Sequence, residues 1–130
     1  MTTPKIGDER ELVLTENLTR TQIVQYAGAS SDFNPLHSDE RFAKEIAGFP
    51  SVFAHGMLTM GMTGRVLTDW FGPESLLRYG VRFVGQVWPG DHLTAKATVT
   101  AVDGDEVSLD VATTNGNGDV VLRGTAAVRT

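Results

Sequence analysis

The chain contains no cysteine. Disulfides, thiolate catalysis and cysteine-ligated metal sites are therefore excluded. No apolar run reaches the roughly 18 residues that a membrane-spanning helix needs. No basic block is present either: 16 acidic residues outnumber 11 lysines and arginines, for a net charge of −5. Nucleic acid and anionic membrane surfaces are poor partners for such a chain. The opening "MTTPKIGDER" lacks an apolar stretch, so no secretory signal is expected and the reading is a cytoplasmic protein. Repeats and linkers are missing too, and 130 residues fit one domain, 1–130. A domain of that size buries roughly two-thirds of its unfolded surface, enough for an ordinary core.

What is present divides into a helical first half and a strand-rich second half. Leu12-Val13-Leu14 gives a short strand signal. Thr19 and Gln22 have the spacing of a capping box, with Leu18 and Ile23 placed for a hydrophobic staple. Ile23, Val24, Tyr26 and Ala27 supply that helix with an apolar face, and Gly28 is placed to end it. Ser38 is the expected cap of a second helix, with Glu40 and Lys44 paired and Phe42, Ala43, Ile46 and Ala47 inward. "HGMLTMGMTGRVLTDWFG" is apolar on nearly every side, with a polar stripe of Arg65, Thr68 and Asp69. A helix of this kind is buried, being too short to span a bilayer. Gly61 and Gly64 would admit a close backbone.

Period-two alternation then takes over. Tyr79, Val81, Phe83 and Val87 share a face. So do Ala95, Ala97, Val99 and Ala101; then Val107, Leu109 and Val111; then Val120, Leu122, Ala126 and Val128. "WPGD", "DGD" and "NGNGD" supply the turns. The pattern predicts an antiparallel meander with one apolar face. Wrapping that face around the apolar helix buries both, which is an α+β arrangement of the hot-dog kind.

"SSDFNPLHSDE", residues 30–40, sets Asp32 and His37 five positions apart with a proline between them. Singly, Asp32 and Asn34 read as turn residues, and His37 as a residue preceding a helix. Pro35 holds Asn34 out of the helical region. Together, an acid and an imidazole on a rigid loop are the parts of a general acid–base pair. "FAHGMLTMG" puts His55 and Gly56 at the start of the buried helix. The free N–H groups there can hold an oxyanion, although glycine also serves close packing. His55 reads first as a structural histidine bonded to backbone.

The long pattern of Asp32, Asn34-Pro35, His37 and later His55-Gly56-Met57-Leu58 resembles the hydratase motif of MaoC-like dehydratases, the (R)-specific enoyl thioester hydratases. "VRFVGQVWPGDHLTAKATV" resembles the strand–turn–strand that follows the central helix in that family, so the likeness covers roughly residues 5–129. Within the family it is similar to the catalytic B subunits of actinobacterial 3-hydroxyacyl-carrier-protein dehydratases, which pair with a non-catalytic hot-dog subunit. The resemblance implies reversible addition of water across a trans-2-enoyl thioester, on coenzyme A or acyl carrier protein. Asp32 and His37 would be catalytic, and Gly56, with Asn34 and His55, would bind the substrate or its oxyanion. No metal and no cofactor beyond the thioester carrier is implied. A dimer is expected, with itself or another hot-dog subunit. Some members carry a serine further along the central helix, lining the acyl site; here Thr63 and Gly64 stand in that stretch. A hot-dog thioesterase and a non-catalytic subunit share the fold, but the paired Asp32 and His37 argue against both.

Overall fold

The computed structural model describes residues 3–130. Strand β1 (Glu9–Thr15) precedes helix α1 (Arg20–Ser30). A 3-10 turn (Pro35–His37) and a π-helical turn (Phe42–Ile46) lead to helix α2 (Gly56–Phe71). Another 3-10 turn (Pro73–Ser75) enters β2 (Leu76–Phe83), followed by β3 (Leu93–Asp103), β4 (Glu106–Thr114) and β5 (Val120–Arg129). The strands form one antiparallel sheet in the order β1-β3-β4-β5-β2, packed around α2. This is the expected α+β hot-dog architecture.

The strand order corrects the simple meander. Only β3, β4 and β5 follow one another across the sheet. β2 pairs with β5 at the far edge, and β1 takes the place beside β3. The segment after β2 does not turn back as a hairpin. Val84 and Gly85 both donate to the Val121 carbonyl, at 3.0 and 3.2 Å, and the chain then crosses toward the start of α2, where Ala54 N–H donates to Val87 O at 2.8 Å. Val87 is buried there, outside any strand.

Alternation predicts the core where the ladders are regular. Leu93, Ala95, Ala97 and Val99 of β3 and Val107, Leu109 and Val111 of β4 are all buried. A register shift between Val99 and Ala101 then turns Ala101 outward. A second shift, between Thr113 and Thr114, brings Val121 inside and leaves Val120 half-buried. Bulges of this kind flip every later side chain. Gly124 is required by β2: a Cβ there would stand 2.7 Å from Val81 Cα.

The helices depart from expectation at their ends. The Thr19–Gln22 capping box forms, and Leu18 and Ile23 are buried beside it. α1 runs past Gly28 and ends at Ser31, whose φ is +61°. Ile23 and Ala27 are its buried residues; Val24 faces outward. Asp39, not Ser38, caps the second helical segment, accepting from Phe42 N–H at 3.1 Å. Ala43 is buried there, Phe42 is half-buried, and Ile46 and Ala47 are exposed. Glu40 does face Lys44 at 3.7 Å, and Arg20 at 2.6 Å. The bond from Arg20 holds the Glu40 carboxyl below its ordinary range.

The sheet covers one side of α2 and buries Thr59, Thr63, Val66, Leu67 and Phe71. Met57, Gly61, Arg65 and Asp69 form an exposed stripe at four-residue spacing, so the helix is not enclosed all round. Neither helix glycine meets a backbone: Gly61 faces open space, and a Cβ on Gly64 would stand 3.4 Å from the Tyr79 ring. The Tyr79 hydroxyl donates to Met60 O at 2.7 Å, and burial pushes its pKa up to about 12.

Candidate active site

The site is built where the loop after α1 meets the start of α2. Ser31, in the left-handed region, turns the chain out of α1. Residues other than glycine seldom adopt that conformation, and such positions concentrate at functional sites. Ser30 Oγ donates to Tyr26 O at 2.8 Å and accepts from Asp32 N–H at 3.2 Å. Asp32 Oδ1 accepts from Asn34 N–H at 3.2 Å, and Asn34 Oδ1 accepts from Leu36 N–H at 3.0 Å. Both acidic and amide side chains therefore make the Asx turns that their local sequence favours. Asp32 does so with one oxygen and stays exposed. Asn34 is fully a turn residue in this arrangement.

His37 is fixed on two sides. Its Nδ1 lies 2.6 Å from the Phe53 carbonyl. A carbonyl only accepts, so Nδ1 donates to it, and in the neutral ring Nε2 is the acceptor. The Phe53 ring meets the imidazole edge-on, with centroids 5.2 Å apart. On the other face His55 stacks at 3.7 Å and 24°. His55 is buried, and its Nε2 donates to the Asp32 carbonyl at 2.9 Å. This ring is thus the peg on which the Asp32 loop hangs, as the backbone-bonded reading expected. Its Nδ1 is buried with no partner. Tyr26 closes the far side of the ring, edge-on at 4.9 Å.

One donor atom from each of Asp32, His37 and His55 lies within 4.8 Å of the other two. Stacked imidazoles aim their in-plane lone pairs along near-parallel planes. An ion at a bonding distance of about 2.1 Å from both would stand well out of each ring plane. Asp32 and His37 can hydrogen-bond a water between them, while His55, bonded to the Asp32 carbonyl through Nε2, supports the loop.

His55 is also the N-cap of α2, and no side-chain bond caps it. The first N–H groups of the helix, Gly56 among them, have no carbonyl within the helix to bond. They open on a cleft of about 300 Å³ lined by Phe53, Gly56, Thr59, Phe83, Gln86 and Val121 among others. Phe83 and Thr59 escaped the sequence reading. Phe83 is half-exposed, and a Cβ on Gly56 would press to 3.1 Å from its ring. Gly56 therefore serves close packing as well as offering its N–H. The signal that could have found Phe83 was its place at the outward-running end of an apolar strand face. Thr63 does not line this cleft: its hydroxyl meets that of Thr113 at 2.6 Å inside the core, and Thr59, one turn earlier, takes the wall. Gly64 lies under Tyr79 instead.

Residues 2–120 match the model of the MaoC-like domain family. The (R)-specific enoyl-CoA hydratase of Rhodospirillum rubrum is 34% identical over 126 residues, covering 95% of this chain and 87% of that protein. Several other relatives are longer proteins, of whose length the matched stretch spans 7%, 34% and 23%. Among solved structures, the unliganded R-hydratase PhaJ1 of Pseudomonas aeruginosa superposes with a TM-score of 0.87 at 25% identity, covering 98% of this chain and 82% of that one. A chain of the ChsH1–ChsH2 complex of Mycobacterium tuberculosis gives 0.86 at 26% identity, covering 98% and 99%. No described helix is long and apolar enough to cross a membrane.

Proposed function

The chain belongs to the MaoC-like domain family, and on that premise we propose that it hydrates trans-2-enoyl thioesters reversibly to (R)-3-hydroxyacyl thioesters. A water held between Asp32 and His37 attacks Cβ. One of the pair takes a proton from the water as its oxygen bonds to carbon. A proton is returned to Cα, and the double bond becomes single. Atoms balance with water alone as co-reactant. The enolate formed on the way places charge on the thioester oxygen. The Gly56 N–H, at the positive end of the α2 dipole, faces that charge. The observation that supports this reading is the clustering of Asp32, His37 and His55 within 4.8 Å, with Phe53, whose carbonyl bonds His37, and Gly56 lining the cleft at the open tip of α2. Tautomer and position are fixed in advance, as proton transfer requires.

A second subunit of the same fold, another copy or a different chain, would cover the site. Asp32 is open to solvent, and next to it Phe33 is 69% exposed. Met57, at the start of α2, is 56% exposed. Large apolar side chains around a reactive pair call for a cover that excludes water. The similar ChsH1–ChsH2 structure is of a two-component complex, which supports the same reading for this chain.

The test is an assay of the purified chain with crotonyl and longer enoyl thioesters, following loss of the conjugated absorbance and release of free thiol separately. Loss of absorbance without thiol release is expected. Thiol release would identify a thioesterase instead, and neither signal would point to a chain that works only with a partner. Light scattering on the same preparation reads the assembly directly.

A further inference from the structure

Among the described residues, His55 is the only ionisable side chain that is buried. The proposed reaction does not use it. It does not line the cleft, and it is 2% exposed. Its Nε2 is committed to the Asp32 carbonyl at 2.9 Å, and its Nδ1 is enclosed without a partner. Neither nitrogen is free to pass a proton to a substrate or to donate to an oxyanion. A buried polar atom with no partner destabilises a fold, and a leucine or phenylalanine would fill the space without one.

What the imidazole supplies is visible in its contacts. Its N–H holds the Asp32 loop. One face lies against the His37 ring at 3.7 Å and 24°, and Tyr26 backs it edge-on at 4.9 Å. A phenyl ring could stack there but not donate, and an amide could donate but not stack. The backbone of His55 is itself set in the scaffold. Its carbonyl accepts from the N–H groups of Leu58 and Thr59, at 3.1 and 3.4 Å, in the first turn of α2. On the other side the Ala54 N–H is bonded to Val87 O at 2.8 Å. Gly56 follows directly in the chain.

We propose that His55 is a positioning residue that gives the Asp32–His37 pair and the Gly56 N–H a common frame. This rests on the hydratase reading above. The hydrogen bond sets the height of Asp32, and the stack sets the plane of His37. Both are referred to the tip of α2 through one residue whose backbone the helix fixes. Reacting groups have to be held to within about 0.5 Å of their working geometry. A misplacement of about 1 Å can lower a rate a hundredfold. The arrangement requires the tautomer of His55 with its proton on Nε2, because the Asp32 carbonyl only accepts.

The experiment compares the full-length protein with His55→Phe, which keeps a ring and loses the donor, and His55→Gln, which keeps a donor and loses the ring. Hydration of crotonyl-CoA gives kcat and KM, calorimetry gives the affinity for unreactive butyryl-CoA, and melting curves give the folded fraction. In each variant kcat should fall about ten- to a hundredfold, while KM and butyryl-CoA affinity stay within about twofold. A kcat within about twofold of wild type in either folded variant would overturn the proposal, because one of the two contacts would then be idle. A lowered melting temperature with kcat per folded molecule unchanged would do the same and leave His55 a structural residue. A fall of about 10⁴, the upper range for a group that itself transfers protons, would make it catalytic instead. Nitrogen NMR of the wild-type imidazoles, three in the chain, needs neither activity nor a variant and decides alone if neither variant folds. His55 should carry its proton on Nε2 and His37 on Nδ1. The opposite tautomer at His55, or exchange between its two tautomers, would overturn the proposal. A wild type that shows the expected tautomers but hydrates nothing would overturn only the hydratase reading.

Discussion

Residues 93–114 and residues 31–56 are held in place in opposite ways. The β3–β4 hairpin is a continuous backbone ladder with alternate side chains buried. The loop from Ser31 to Gly56 has no ladder and is largely exposed. Its shape depends on a few polar contacts: two Asx turns, His37 on the Phe53 carbonyl and His55 on the Asp32 carbonyl. Stability is concentrated in the first region, and the proposed chemistry lies in the second. Loops can carry reactive groups when a rigid scaffold fixes their ends, and here α1 and α2 do so. The difference implies that variants should separate cleanly into those that lose activity and those that lose stability.

The largest effect should come from the loop. Asp32→Asn keeps an oxygen for the Asn34 N–H and hence keeps the turn. If the carboxylate is the base, hydration should fall by about 10² to 10⁴, the range for a general acid–base group. His37→Ala should do the same. Because both act on one water, the double variant should be scarcely worse than the worse single variant. The melting curve of Asp32→Asn should move little, since its turn is kept, whereas His37→Ala also loses the bond to the Phe53 carbonyl. Wild-type turnover in a folded Asp32→Asn protein would falsify the catalytic assignment and leave the segment as a turn only.

The same contrast explains what could be read from the sequence. The Thr19–Gln22 box and the alternation of β3 and β4 are local patterns with local causes, so they are legible. The closeness of Asp32 and His37 is legible for the same reason: the two lie five residues apart on a short turn. What escaped was set by tertiary pairing. Gly28 is a natural helix stop, yet the chain runs on to Ser31, where the loop's contacts with α2 begin. The bulge after Val99 turned Ala101 out, and no residue type announces it. β2 lies beside β5 because the chain must pass the tip of α2 before returning to the sheet. The facing of Arg82 and Arg123, the stacking of His37 on His55 and the closure of Phe83 over Gly56 join segments 41, 18 and 27 residues apart. None of these has a signature in either segment alone.

A smaller effect, of the opposite kind, should come from the ladder. Leu109 is 1% exposed at the centre of β4. Leu109→Ala removes buried methyl groups and leaves a cavity, which costs about 2–5 kcal/mol. Chemical denaturation should show that loss, while kcat of the protein still folded stays near wild type. A fall in kcat matching that of Asp32→Asn, with the protein folded, would break the separation of the two regions.

The smallest effect tests a polar contact inside the stable region. Thr63 on α2 and Thr113 on β4 are both fully buried, and their hydroxyls share one hydrogen bond of 2.6 Å. That bond joins helix to sheet within the core, beside the bond from the Tyr79 hydroxyl to Met60 O. Thr113→Val keeps the shape but leaves the Thr63 hydroxyl without that partner. An unsatisfied buried hydroxyl costs about 1–3 kcal/mol, whereas replacing both partners by apolar groups of the same shape can be nearly neutral. Thr63→Val with Thr113→Val should therefore recover most of the stability lost by Thr113→Val alone. Thr63 also retains a choice that valine lacks, since a hydroxyl on a helix can turn to bond the carbonyl one turn back. If it does so, the single variant will lose less than about 1 kcal/mol, below the cost of an unpaired hydroxyl, and the double variant will show no recovery. Denaturation midpoints for the three proteins distinguish a clamp between helix and sheet from two threonines that merely fit.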